Sequence, residues 1–356
     1  MDRERVGSVM IGACVLVCVF CRTFFALVPS LHAQIQSTPL TTWTVTIVLP
    51  PKLMAGHPAT LAVLGVDGKL ASNVTVDLGK GQSVKTDRTG RAFFTVPATG
   101  DYLLAKASGA SVAALIDAAV GASEPQGITL PPVVSVRDHF WICGGGLRGD
   151  ADANSVRMNG QHALVLAASP ECLVALPGPG TKPGPASLTV EAPGVQWSAT
   201  TTLVALEFEP PTPALQPGRK GQLIVRVHGS SQKLGIVVQN TTPGVLRFQR
   251  GDGQEVVTGG GEENFVGVKV QAVTSGDFSF RAYLIPAPEI PEAERYLRAA
   301  VSFAPKDLQR EIKSLADRLA HHPRDAEIVR IELQQIATQT MAGDFRTLLD
   351  AARAAL

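Results

Sequence analysis

The sequence predicts a mainly β protein: tandem β-sandwiches followed by a C-terminal α-helical hairpin or bundle. Three observations carry this. Between Trp43 and Leu284 the chain is a succession of short apolar runs separated by Gly, Asn, Asp, Ser and Pro. The runs fall into blocks set apart by Pro131-Pro132 and by Pro210-Pro-Thr-Pro213. After Pro291 the apolar period changes from that of a strand to that of a helix.

At the N-terminus, Arg3 and Arg5 precede an apolar run from Val6 to Phe20, and Ser30-Leu-His-Ala33 places a small residue before Gln34. Residues 1–33 are therefore expected to be a secretory signal peptide, with a secreted, periplasmic or cell-surface location. Arg22 interrupts the apolar stretch and Leu31 stands where a smaller residue is commoner. An uncleaved anchor from Val6 to Val28, near the minimum for a span, stays open. Ile11-Gly-Ala-Cys14 has the form of a lipoprotein site but lies inside the apolar run rather than after it. Cys14, Cys18 and Cys21 leave with the signal. Cys143 and Cys172 remain, and an oxidising compartment makes a structural disulfide the expected state. Closing a loop of about 30 residues contributes roughly 3–4 kcal/mol on the chain-entropy account. Two buried thiols are the competing reading.

The first block, residues 41–124, reads as strands at Trp43–Val48, Ala59–Leu64, Asn73–Leu78, Ser83–Thr86, Arg91–Val96 and Tyr102–Ala107. Turn chemistry falls between them at Asp67-Gly68, Lys80-Gly81, Asp87-Arg-Thr-Gly90 and Gly100-Asp101. Ser111–Val120 is Ala-rich and fits helix or strand; strand is preferred. The stretch Asp87-Arg-Thr-Gly-Arg-Ala-Phe-Phe-Thr-Val-Pro-Ala-Thr-Gly-Asp-Tyr102 resembles the last hairpins of bacterial immunoglobulin-like repeats. The resemblance implies a sandwich without catalytic residues.

The second block, residues 130–206, centres on Ser155–Pro177, where Asn159-Gly160 and Ser169-Pro-Glu171 read as turns between antiparallel strands. Pro131-Pro-Val-Val-Ser-Val136, Gly144-Gly-Gly-Leu-Arg-Gly149, Val156–Ala163, Leu173–Pro177 and Ala186–Ala192 together resemble the IPT/TIG immunoglobulin-like family. The departure is Phe140-Trp-Ile-Cys143, which replaces a glycine-led segment. The resemblance implies tandem immunoglobulin-like β-sandwiches, an architecture rather than an activity.

The third block, residues 207–287, carries strand-like runs at Gly221–Val227, Leu234–Gln239, Val245–Phe248, Phe265–Ala272 and Asp277–Leu284. In the helical tail, 291–356, Pro291, Pro305 and Pro323 stand at helix starts, and Gly343 divides the last two helices. Leu308, Ile312, Leu315 and Leu319 form an amphipathic stripe. Three or four helices are expected, either capping the third sandwich or forming a docking surface.

Charge and composition exclude several classes. A net charge of +1 and a pI of about 7.7 leave no basic footprint for nucleic acid, and aromatics are only 5%. Asp150, Asp152 and Asn154 have the spacing that opens a calcium loop, but Ser155 replaces the turn glycine and Gln161 the bidentate Glu, so a solvated turn is expected. Arg148-Gly-Asp150 and Arg250-Gly-Asp252 match an adhesion tripeptide and are read as turns. Gly178-Pro-Gly-Thr-Lys-Pro-Gly184 has no following helix to hold phosphate. Gly259-Gly-Gly261 with Glu262 and Glu263 reads as a hairpin turn. His32, His57, His139, His162 and His228 are scattered over separate segments, and His321-His322 sits at a helix end. Asn73-Val-Thr75 and Asn240-Thr-Thr242 match glycosylation sequons.

No catalytic, cofactor-binding or metal-binding residue is assigned, and no cofactor is expected. The sequence points to a non-enzymatic secreted or envelope-associated binding or scaffold protein with a protein or glycan partner. It has no nucleic-acid partner and meets a membrane only through an uncleaved anchor. An accessory carbohydrate-binding protein that presents substrate to a separate enzyme, and an enzyme with a spatially assembled site, are the alternatives.

Overall fold

Strand alternation and turn chemistry build the first sandwich. The structure, a computed structural model, describes residues 45–118, 127–209, 215–249, 253–341 and 343–356, all within the compact unit Thr42–Leu356. The signal or anchor segment, the prolines at 210–213 and the second Arg-Gly-Asp lie outside the described residues. Strands β1 (Thr46–Val48), β3 (Pro58–Leu64) and β6 (Arg91–Thr95) form one antiparallel sheet. Facing it are β2 (Lys52–Met54), β8 (Ala110–Asp117), β7 (Tyr102–Ala107), β4 (Thr75–Asp77) and β5 (Ser83–Lys85), in that order. The Asp87 carboxylate fixes the turn into β6 by accepting the N–H groups of Thr89 and Arg91. Leu53, Leu61, Val76, Phe94, Leu103 and Ile116 fill the core between the sheets. The Ala-rich segment is strand β8, as preferred, for the residues that are described.

The second sandwich depends on one strand that changes sheets. β13 (Gln161–Ala168) pairs first with β12 (Ser155–Met158), then with β14 (Cys172–Leu176), which also pairs with β11 (Phe140–Gly144). Asn159 (φ 49°) and Gly160 (φ 80°) are both left-handed, as a two-residue hairpin requires. At the next turn Ser169 Oγ accepts the N–H of Cys172. A bulge between Val165 and Ala167 breaks the alternation, so Leu166 and Ala167 leave this core and point at the first sandwich. On the far side lie β15 (Gly184–Ala192) and β16 (Val195–Glu209), with β10 (Val133–Ser135) parallel to β16 and β9 (Ile128–Thr129) against β11.

Strand β16 belongs to two cores. Its first part pairs with β15, and residues Ala205–Glu209 pair with β17 (Lys220–His228). The third sandwich sets β17, β21 (Phe265–Ala272) and β19 (Leu246–Phe248) against β18 (Gly235–Asn240), β20 (Gly253–Val257) and β22 (Phe280–Leu284). Strand β20 is not among those identified from sequence, because its apolar content is only Val256 and Val257. The Gly259–Gly261 segment is not a hairpin turn. It crosses from β20 in one sheet to β21 in the other, and the buried Asn264 pins it by accepting the Gly260 N–H.

Among the described residues four helices follow the third sandwich: α1 (Ile290–Ala300), α2 (Gln309–His321), α3 (Ala326–Gln339) and α4 (Asp344–Ala354). Pro291 opens α1, and Ile312, Leu315 and Leu319 are buried as their spacing predicts. The helices do not cap the third sandwich. They cover the outer face of the first, where Tyr102, Leu104, Ala113 and Leu115 share a core with Leu297, Leu348 and Leu349. The reason is strand β8, in which Ala114 and Ile116 face inward while Ala113 and Leu115 face outward. A strand apolar on both faces needs two layers over it. Arg295 bonds Asp117 at 2.5 Å, Ser111 Oγ meets Thr347 Oγ1 at 2.6 Å, and Lys106 pairs with Asp344. On the other side α3 meets the third sandwich through an Arg330–Glu255 ion pair.

Two outcomes follow for stability. Leu115→Ala removes side-chain volume from the sheet–helix contact and is expected to cost about 2–4 kcal/mol in denaturant unfolding. Ending the chain after Glu289 uncovers Leu104 and Leu115, so the shortened protein is expected to melt lower and bind a hydrophobic dye; an unchanged midpoint contradicts this packing.

Candidate functional site

The residues singled out by motif turn out to join modules. The loop after β11 lies against the first sandwich, where Thr60 Oγ1 donates to Gly149 O at 2.7 Å and accepts the Ala151 N–H at 3.2 Å. A Cβ on Gly149 would lie 1.9 Å from the Pro58 carbonyl oxygen, so this contact admits only glycine. Asp150 caps a short turn by accepting the Asp152 N–H, and Asp152 pairs with Arg91 of β6 at 2.6 Å. Asn154 is buried and donates to the carbonyls of Arg148 and Asp150. The turn expected to be solvated thus has its Asp150, Asp152 and Asn154 side chains engaged by protein groups. In the first Arg-Gly-Asp, Gly149 is held at the interface, while Arg148 and Asp150 are exposed and are engaged by Pro193 O and the Asp152 N–H.

Main-chain pairing reinforces the same junction. Ala168 of β13 pairs with Thr60 of β3, and Val48, Ala62, Leu166, Ala167 and Val174 form an apolar seam between the sandwiches. Cys143 and Cys172 are bridged, directly opposite each other on β11 and β14 with Cα atoms 4.1 Å apart. They occupy a pair without mutual backbone hydrogen bonds, since Gly144 N–H donates to Glu171 O at the next position.

Beside the disulfide, Glu171 meets Lys52 and Asp117 of the first sandwich and Arg295 of α1. Burial raises the Glu171 carboxyl to about 6, the charge of Asp117 and a hydrogen bond with it push the same way, and Lys52 and Arg295 oppose them. Lys52 also pairs with Glu292 at 3.0 Å, and Ser169 Oγ donates to the Lys52 carbonyl at 2.7 Å. Two sandwiches and a helix therefore meet at one charged cluster.

Open concavities lie elsewhere among the described residues. One, of about 1030 Å³, lies where the second and third sandwiches meet and is lined by Arg137, His162, Leu164, Leu176, Glu207 and His228, among others. Two histidines read from sequence as isolated are thus brought to one groove; His228 pairs with Glu207 at 3.2 Å. The Gly178–Gly184 loop forms its wall, held by Thr181 Oγ1 donating to Gly178 O. No sequence signal foretold this, because the two histidines meet only through the shared strand β16. The second concavity, of about 1100 Å³, lies among α2, α3 and the start of α4. Among the described residues no group of His, Cys, Asp and Glu could hold a metal ion. The Asn240 side chain is buried and donates to Leu246 O, which removes it as a glycosylation site; Asn73 is exposed.

No family model matches the chain, and no curated protein matches it. Among solved structures it is similar to the I9–I11 tandem from titin, at 10% identity and TM-score 0.20, over 68% of this chain and 95% of that one. It is similar to the N-terminal four Ig domains of Dscam1, at 11% identity and TM-score 0.21, over 68% and 69%. It is also similar to invasin, a bacterial integrin-binding protein, at 15% identity and TM-score 0.18, over 68% and 56%, so the chain spans little more than half of that structure. The strands and cores themselves define the class: immunoglobulin-like β-sandwich modules with a C-terminal helical layer.

Two measurements test the junction. Gly149→Ala forces a methyl group into the Pro58 carbonyl and is expected to destabilise by about 1–3 kcal/mol, read from the denaturation midpoint. The folded-state pKa of Glu171 is raised, so its contribution is fully present below about pH 4.5 and is lost as pH rises through about 6. Screening at this half-buried site limits the effect to about 1 kcal/mol. The difference in stability between wild type and Glu171→Gln should therefore change between pH 4.5 and 7; parallel profiles contradict the assignment.

Proposed function

We propose that the chain is a secreted or envelope-associated, non-enzymatic binding or scaffold protein that presents a fixed arrangement of immunoglobulin-like modules to a protein partner. The observation that carries this reading is continuity. A path of hydrogen-bonded strands runs from β19 through the shared β16 to β9, and β13 links it to β3 of the first sandwich. Such a body holds its surfaces at set distances, which is what a scaffold requires. The bacterial-repeat and IPT/TIG resemblances of the first and second modules support an envelope setting. So does the Arg3/Arg5-led apolar N-terminus ahead of Ala33-Gln34.

A protein partner is favoured over a glycan because the groove between the second and third sandwiches is lined by Leu164, Leu176, Pro177 and Pro179 with no Phe, Tyr or Trp. Sugar rings stack on aromatic faces; prolines and leucines suit apolar side chains.

The test is fractionation of the producing cell followed by N-terminal sequencing and crosslinking mass spectrometry. The expected result is a mature chain beginning at Gln34 in the envelope or medium, with a defined protein crosslinked to it. A chain retaining Met1 in the cytosolic fraction, or no crosslinked protein in the envelope, overturns the reading.

A further inference from the structure

The concavity among α2, α3 and the start of α4 has a specific chemical character. Its lining contains four carboxylates, Asp307, Glu311, Glu332 and Asp344, and no Lys, Arg or His. Two of these are already neutralised from outside the groove, Glu332 by Arg318 at 2.8 Å and Asp344 by Lys106. Among the described residues, neither Asp307 nor Glu311 has a cationic side chain within 4.0 Å. The same lining also exposes apolar side chains: Phe303 is 38% exposed and Met341 is 88% exposed. The buried sides of α2 and α3 pack on α1 and α4, and Leu308, Ile336 and Phe345 at the floor of the groove belong to that packing, whereas Phe303 and Met341 stand partly or largely clear of it.

An apolar strip bordered by unpaired carboxylates is complementary to an amphipathic helix with cations flanking its apolar face. A flexible, exposed methionine suits such a contact, since its unbranched side chain adapts to the shape laid on it. We propose that this groove docks a basic amphipathic segment of a partner protein, with its apolar face on Phe303 and Met341 and its cations toward Asp307 and Glu311. The inference rests on the binding-protein reading and names the partner's chemistry at one surface. An acidic segment is excluded by repulsion. A second copy docking groove on groove would set the carboxylates Asp307 and Glu311 against their own equivalents.

The experiment titrates the chain from Gln34 to Leu356 with fluorescein-labelled synthetic peptides of about four helical turns. One is a Leu/Lys peptide with leucines at i, i+3, i+4 and i+7, one is the same composition scrambled, and one carries Glu in place of Lys. The patterned basic peptide alone is expected to bind saturably, with hydrogen-exchange protection confined to residues 303–311 and 332–345. Asp307→Asn with Glu311→Gln should weaken it roughly three- to tenfold, on the scale of two exposed ion pairs. Met341→Ser should weaken it as well, and Glu262→Gln with Glu263→Gln on the third sandwich should leave it unchanged. Equal binding of the scrambled peptide, or full affinity in the Asp307/Glu311 variant, overturns the proposal. So does a doubled mass in light scattering with no peptide binding, which would assign the groove to a second copy. If the peptide fails while envelope crosslinks to the β modules persist, the groove is wrong and the binding-protein reading stands. If the crosslinks fail too, both fall.

Discussion

Strand β8 constrains the rest of the molecule because it is apolar on both faces. Ala114 and Ile116 complete the core of the first sandwich, and Ala113 and Leu115 need a second cover. The chain supplies that cover from its far end, more than 170 residues later, where Arg295 bonds both Asp117 and the Ile116 carbonyl. Burying apolar surface drives the closure, and the few polar bonds set its register. Once α1 and α4 are in place, the third sandwich is held between its own strand connection and the Arg330–Glu255 pair on α3.

The same economy shapes the junctions between sandwiches. β16 contributes Leu203 to one core and Val204 and Leu206 to the next, so the second and third modules share backbone and are not joined by a free tether at that point. The bulge in β13 turns Leu166 and Ala167 toward the first module while Val165 and Ala168 stay in the second. Motif-like residues of the sequence, Gly149, Asp150, Asp152 and Asn154, serve this interface. A module array stiffened in this way can present separated surfaces in fixed relation, which is the physical basis of the scaffold reading.

Much of the fold was legible because local chemistry decided it. Asn159-Gly160 fixes a hairpin by backbone conformation alone, Ser169-Pro-Glu171 does so by side-chain capping, and the Leu308–Leu319 stripe declares a helix. The cysteine pair was legible from its even count after Cys21, on the expectation of an oxidising compartment. The destination of the helices was not, because an amphipathic face states that it will be buried and not by what. The available signal was in the receiving strands: Tyr102 and Leu104 of β7 and Ala113 and Leu115 of β8 are apolar on the outer face, opposite the apolar residues of the inner face. Strand β20 escaped notice because its exposed edge position leaves it little apolar content. The grooves were invisible for a different reason. Residues such as His162 and His228, or Phe303 and Met341, meet only through tertiary topology.

The most direct measurement is a disulfide trap between β8 and α4. Ser111 and Thr347 have their hydroxyl oxygens 2.6 Å apart, so Ser111→Cys with Thr347→Cys places two thiols within bonding range if the helical layer sits on the first sandwich. Peptide mapping of the natively folded double variant is predicted to show a 111–347 bridge alongside the intact 143–172 bridge, with a higher melting temperature than the reduced form. Free thiols at 111 and 347 in a folded protein that retains its 143–172 bridge would contradict the account, because the helices would then cover some other surface.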